Sequence, residues 1–312
     1  MPQHGGVMRL YAYVSHTLDR VLSPTMPTRL RVAAINFLNP APLMWDFEHA
    51  PLASALAERY RLHSTQPAQC AVELLEGRAD LGLIPIAALT PELAIVPGCT
   101  ISALDCVRSI QLIVKLKGNA AVETDRVLAC VGSVAADTAS RSSLAYAQII
   151  LRKFIGINPA FIPAQADPIV MLQQADAALL IGDPALLALE DRTRIEAVVG
   201  PCLWLDLAHE WIARTGTPWV AAVWAVRPEA LGNADQLTAD LILSRDHGLA
   251  NIDRLVDEWT PRIAIPPTTI RNYLTRNIHY TLTPACIESI RLFRRYAAEA
   301  GALPALADLR FL

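Results

Sequence analysis

Short apolar runs of strand length alternate with helix-forming stretches along most of this chain, and that alternation restricts it to an α/β fold. Arg31–Asn36 reads RVAAIN, Ser109–Lys115 reads SIQLIVK, Ala177–Ile181 reads AALLI and Val220–Val226 reads VAAVWAV. A membrane span needs roughly 18 uninterrupted apolar residues, and no run approaches that. The chain is 53% hydrophobic and only 18% charged. That apolar excess is therefore assigned to strands buried on both faces. It also excludes disorder along most of the 312 residues.

Helices fill the gaps. Pro51–Tyr60 is helical by composition, and Pro67–Glu76 ends at Gly77. Asp80–Ile84, Cys99–Ala103 and Arg126–Cys130 read as strands, with a polar crossing segment at Asn119–Asp125. Ser140–Phe154 is the clearest helix, because Leu144, Ala147, Leu151 and Phe154 recur at spacings that share one face. Alternation continues through strand Ala160–Ile162, helix Pro168–Gln174, strand Ala177–Ile181 and helix Pro184–Glu190. After the strand at Val220 the chain reads as almost all helix. Thr283 and Pro284 supply an N-cap and first-turn pair for the helix reaching Tyr296. Two strand–helix runs, residues 31–115 and 126–199, predict two open, mostly parallel sheets with a cleft between them. In such sheets ligands sit at the carboxyl ends of strands.

Composition narrows the ligand. The formal net charge is −3, against the basic excess of a nucleic-acid binder. The six cysteines, at 70, 99, 106, 130, 202 and 286, form no CxxC pair and have no histidine at zinc-ligand spacing. They read as buried free thiols in a reducing compartment. His209-Glu210 fails the HExxH pattern because residue 213 is Ala, and a solvated helix face accounts for it. Residues 1–28 lack an apolar h-region and read as a disordered extension, with Met26 an alternative start and the cytoplasm as location.

Several segments at predicted strand ends carry chemistry. Asn39, in Asn36-Phe37-Leu38-Asn39-Pro40, offers an amide at the end of the first strand; serving the turn before Pro40 is the ordinary alternative. Pro85 ends the strand in GRADLGLIP (77–85) and leaves backbone groups free there. Ser109, in VRSI (107–110), has no neighbouring histidine and no GxSxG elbow, so it reads as a polar contact or weak proton-transfer partner, or as a strand-start cap. Asp137-Thr138-Ala139-Ser140-Arg141-Ser142-Ser143 gathers hydroxyls and a guanidinium at a helix N-terminus. Such an end attracts carboxylates, and the segment lacks a Walker lysine or GxGxxG. Asp183, in IGDP (181–184), either caps a helix or orders the cleft.

In combination, FLNPAPL (37–43), GRADLGLIP, VRSI, DTASRSS (137–143), LIGDPAL (180–186) and TGTPWVAAVWAVR (215–227) resemble the MqnA enzymes, the chorismate dehydratases of the futalosine route to menaquinone. The likeness runs over about residues 29–300. It implies an α/β, type II periplasmic-binding-protein-like fold with two lobes: 29–114 plus 218–312, and 115–217. It implies that chorismate loses water to give 3-[(1-carboxyvinyl)oxy]benzoate, with no metal or organic cofactor, no nucleic acid and no membrane as partner. Asn39 and Ser109 match the residues at the reacting part of the substrate. Thr138, Ser140, Arg141 and Ser142 match the carboxylate-binding segment, with Pro85 and Asp183 lining the site. Phe37 stands where Tyr is common in the family. The sister 1,4-dihydroxy-6-naphthoate synthases carry an SPCPND-type segment where this chain has NFLNP. A non-catalytic carboxylate-binding protein of the same fold would call for an export signal. An effector domain of a transcription regulator would need a DNA-binding helix pair, for which 28 residues leave too little room.

Overall fold

The strand pattern resolves into two sheets in a computed structural model that describes residues 29–65, 67–116, 123–137, 141–306 and 308–312. The first sheet holds β1 (Leu30–Ile35), β2 (Tyr60–Thr65), β3 (Leu81–Pro85), β4 (Ala94–Ala103), β10 (Trp219–Val226) and β11 (His279–Thr281), in the order β11-β4-β10-β3-β1-β2. The second holds β5 (Ile110–Lys115), β6 (Ser133–Asp137), β7 (Ala160–Ala164), β8 (Ala177–Ile181) and β9 (Cys202–Asp206), in the order β7-β6-β8-β5-β9. Every residue of β3 and β8 is buried, as expected for central strands covered on both faces.

The sheets are mixed, which corrects the expectation of mostly parallel pairing. Only β1–β2 and β1–β3 pair in parallel in the first sheet, and β6–β7 and β6–β8 in the second. The strands next to the inter-sheet crossings, β4 and β10 on one side and β5 and β9 on the other, pair antiparallel. A chain that leaves one sheet and returns later re-enters without the helical crossover that enforces parallel pairing. β5, placed at the end of the first lobe by sequence, belongs to the second sheet. The outward crossing is therefore residues 104–109.

Three elements also differ locally. The helix in Pro51–Tyr60 covers only Ala53–Ala57, and Tyr60 opens β2. That edge strand pairs on one side only, so its polar residues hide it from an apolar-run reading. Arg126–Cys130 is not a strand: Thr124–Leu128 is helical with Leu128 alone buried, and the strand follows at Ser133. Five mixed apolar residues fit either period, and tertiary burial decides. β9 and β11 add strands where helix or loop was read. Asn119–Asp125 lies partly, and residues 1–28 wholly, outside the described residues.

Packing then fixes the helix that borders the cleft. Helix Arg141–Ile149 widens into a π-helical turn, Ile150–Ile155, closed by Gly156. Tyr146 on this helix is fully buried and meets the rings of Trp211, Trp219 and Phe293 at centroid distances of 5.0, 5.6 and 4.4 Å. Its hydroxyl donates to Val220 O at 2.9 Å. The helix is thereby anchored on β10 of the first sheet, although its own sequence lies among second-sheet strands. Cys70, Cys99, Cys202 and Cys286 are buried and Cys106 is half-buried, but Cys130 is exposed. Among the described residues no helix is long and apolar enough to cross a membrane.

Candidate active site

Between the sheets lies a cleft with about 650 Å³ of non-atom space, part of it open to solvent. Its walls come from the carboxyl end of β1, the ends of β3 and β8, the start of β5, β10, and the first turn of helix Arg141–Ile149. Asn39, Pro85, Ser109 and Ser142 all line it, as does Ser143. Among the described lining residues no side chain is a carboxylate, imidazole, thiol, phenol, ammonium or guanidinium.

Ser109 is held with unusual completeness. Its N–H donates to Val107 O at 2.8 Å, and its carbonyl accepts from Gly182 N at 2.7 Å. The residue before it, Arg108, has φ +63°, a left-handed conformation that a long side chain rarely adopts. The turn is maintained from the second sheet: Arg108 N donates to Asp206 Oδ2 at 2.5 Å, and Gln111 Nε2 donates to Arg108 O at 3.0 Å. Burial pushes the Asp206 carboxyl up, and backbone N–H groups, Arg108's first, offset part of this. The same carboxylate caps helix Leu207–Thr215 through Ala208 N and His209 N. Strain concentrated at one turn and braced from outside is a frequent mark of functional residues.

The side chain of Ser109 is fixed by a residue that sequence reading missed. Tyr273, in the π-helical turn Tyr273–Asn277 after helix Pro267–Asn272, donates its hydroxyl to Ser109 Oγ at 2.8 Å. Tyr273 is 1% exposed and Ser109 3%. Burial pushes the Tyr273 phenol far above its ordinary value, so it stays neutral and acts as donor. The serine's own proton is therefore free to point elsewhere, toward the cavity it lines. One helical turn on, Asn277 Nδ2 donates to Cys106 O at 3.1 Å, bracing the same crossing segment. The partners lie 164 residues apart, and no local motif announces the contact.

Across the cavity, Phe37 lies over Gly182, where a Cβ would meet the ring at 3.4 Å and φ is +62°. Gly182 thus lets the two sheets approach. Asp183, the next residue, does not line the cavity. Burial raises its pKa to about 6, partly offset by the Leu38 backbone N–H from the opposite lobe. It caps nothing: the N-cap position of helix Gly182–Glu190 is Ile181.

The anion segment is only partly as expected. Ser142 Oγ donates to Ala221 O and accepts from Ala87 N, both at 3.2 Å, so most of its bonding capacity ties the helix to the first sheet. Arg141 is exposed and lines a separate cavity on the far side of the helix start, not the cleft. Ser142 and Ser143 line the cleft, while Arg141 lines the other hollow. Thr138 and Ser140 lie outside the described residues. His209 is exposed and pairs with Asp105 at 3.0 Å, consistent with a solvated face. No metal-holding group of three His, Cys, Asp or Glu residues occurs among the described residues.

Two α/β lobes with an apolar cleft at their strand ends define the periplasmic-binding-protein-like class of fold. Solved structures agree: the periplasmic aliphatic sulphonate binding protein of Escherichia coli superposes with a TM-score of 0.62 at 16% identity, covering 92% of this chain and 94% of that one. The alkanesulfonate-binding protein of Xanthomonas axonopodis pv. citri gives 0.61 at 18% identity, covering 89% and 95%. At these identities the likeness concerns the fold. A sequence model of the menaquinone biosynthesis family matches residues 30–299, and the chain belongs to that family. A curated relative, the chorismate dehydratase of Thermus thermophilus, is 28% identical over 272 residues, which is 82% of this chain and 92% of that protein.

Proposed function

We propose that this protein is a chorismate dehydratase, removing water from chorismate to give 3-[(1-carboxyvinyl)oxy]benzoate. The observation that carries the reading is the pairing of an oriented hydroxyl with a cleft lining that offers no titratable side chain among the described residues. Most eliminations need a positioned acid and base of matched pKa. Here the ring becomes aromatic as water leaves, and that driving force lessens the need. The substrate's enolpyruvyl carboxylate takes the ring proton and the ring C–O bond breaks. The proton ends on the departing hydroxide, so no protein group changes charge. The protein's part is to hold the reactive conformer in a dry pocket, a contribution of orientation rather than of acid–base strength. Ser109 and Asn39 orient the substrate and hydrogen-bond the leaving hydroxyl. The second carboxylate is received by the N-terminal end of helix Arg141–Ile149, on the face where Ser142 and Ser143 line the cleft. Arg141 lies outside the cleft lining, and the reading does not rest on it.

The test is incubation with chorismate under ultraviolet absorbance, with the product identified by mass. Turnover is expected in the wild type, and a fall of about 100-fold or more in both Asn39→Ala and Ser109→Ala. Tight binding of chorismate without a spectral change would instead assign a carboxylate-binding protein of this fold. Turnover of a cyclic futalosine derivative alone would assign the naphthoate synthase. Full activity in both alanine variants would overturn the site assignment.

A further inference from the structure

Arg294, on helix Pro284–Glu299, is 6% exposed. Its guanidinium donates to Ala87 O at 3.0 Å and to Pro304 O at 3.3 Å, while Nε has no partner. It forms no ion pair with any carboxylate among the described residues, and burial alone acts on it, depressing its basicity. A cation buried without counter-charge is costly, and natural proteins seldom retain one idle. Arg294 lines a cavity of about 360 Å³, open to solvent on one side, beside the start of helix Arg141–Ile149. Among the described residues the other charged group lining it is Arg141, and no acid does. Leu75, Leu144 and Leu303 give it an apolar wall. A neighbouring hollow shares Arg294, but Glu299 and Asp308 line it and offset its arginines. The Ala87 peptide separates the first cavity from the cleft: its C=O accepts from Arg294 and its N–H donates to Ser142.

We propose that this cavity is a second ligand site, taking a carboxylate with an apolar body held by Arg141 and Arg294. Planar guanidinium forks match a carboxylate, and the leucine wall has no use in binding a fully hydrated inorganic anion. The site accounts for two facts the cleft leaves unexplained: an arginine of the anion segment that lines this hollow and not the cleft, and a buried arginine that forms no ion pair among the described residues. It is independent of the reaction assigned to the cleft, and its test reads binding alone.

The experiment is calorimetric titration of the full chain with octanoate, with 1-octanol and inorganic phosphate as controls. Octanoate is expected to bind saturably, and both controls at least about tenfold more weakly. Arg141→Gln, at an exposed position, is expected to weaken octanoate about fivefold or more with an unchanged unfolding midpoint. Arg294→Lys, which keeps the charge and loses the fork, is expected to weaken it as well. Chorismate at saturation should leave octanoate affinity within about twofold, as expected for separate sites. Equal octanoate affinity in Arg141→Gln, displacement by chorismate, or phosphate binding as tightly as octanoate would each overturn the proposal.

Discussion

Replacing Tyr273 by Phe removes one hydroxyl and nothing else from the support of Ser109. The bond is 2.8 Å long, and its two residues are 1% and 3% exposed, so no bulk water takes the lost donor's place. A net contribution of about 1 to 1.5 kcal/mol follows for a bond in that setting. If the bond serves to aim Ser109, the loss appears in the transition state, as a fall in kcat of about 5- to 12-fold with KM within about twofold. The same substitution also lowers stability by a similar amount, and a double-mutant cycle with Ser109→Ala tests whether both losses run through Ser109. In the Ser109→Ala background there is no hydroxyl left to aim and no bond left to lose, so Tyr273→Phe should leave the residual kcat unchanged and no longer lower the urea midpoint. Chorismate turnover followed by absorbance reads the first quantity, and equilibrium unfolding the second. Additive losses in kcat, or wild-type kcat in Tyr273→Phe, would refute the argument that the phenol acts through Ser109.

Asp183 and Gly248 offer two further expected outcomes. Asp183 has a folded pKa of about 6, above its ordinary 3.8, so the native state binds a proton that the unfolded chain releases between those values. Stability therefore falls as pH rises through that window. Asp183→Asn lacks this loss, so its advantage over wild type in urea unfolding should grow from about pH 4 and level off above about pH 6.5; an advantage that does not vary with pH would contradict the assignment. Gly248 sits in helix Ala234–Ala250 where a Cβ would overlap the Pro42 backbone just after the Phe37–Pro40 turn. Gly248→Ala should cost about 1 to 3 kcal/mol and disturb Asn39, lowering turnover together with the unfolding midpoint; a neutral result would show that the helix can slide without consequence.

The legible part of the site consists of residues that are special within their own segment. Asn39 precedes a proline at a strand end, Ser109 opens an apolar strand, and Pro85 closes another, and all three line the cleft. Asp183 was visible as an acid at a strand end, yet its effect is exerted from behind the cavity through burial. Arg141 shows the limit of motif reading. Composition placed it in the anion segment, but it lines another hollow while Ser142 lines the cleft.

By itself the sequence determined the alternation of strand and helix, the residues that end the strands, and the family. Those are local or cumulative properties: burial on two faces demands continuous apolar runs, and turn residues must stand where the chain reverses. Only the tertiary structure decided that β5 joins the second sheet, that helix Arg141–Ile149 is anchored on β10 through Tyr146, and that Tyr273 reaches Ser109 from 164 residues away. Each of these is a contact between segments that carry no mark of one another. Burial energy is non-directional, so sequence pattern states that a face will be covered but not by what. Specific hydrogen bonds between covered groups then make that choice and, at Ser109, aim a single hydroxyl.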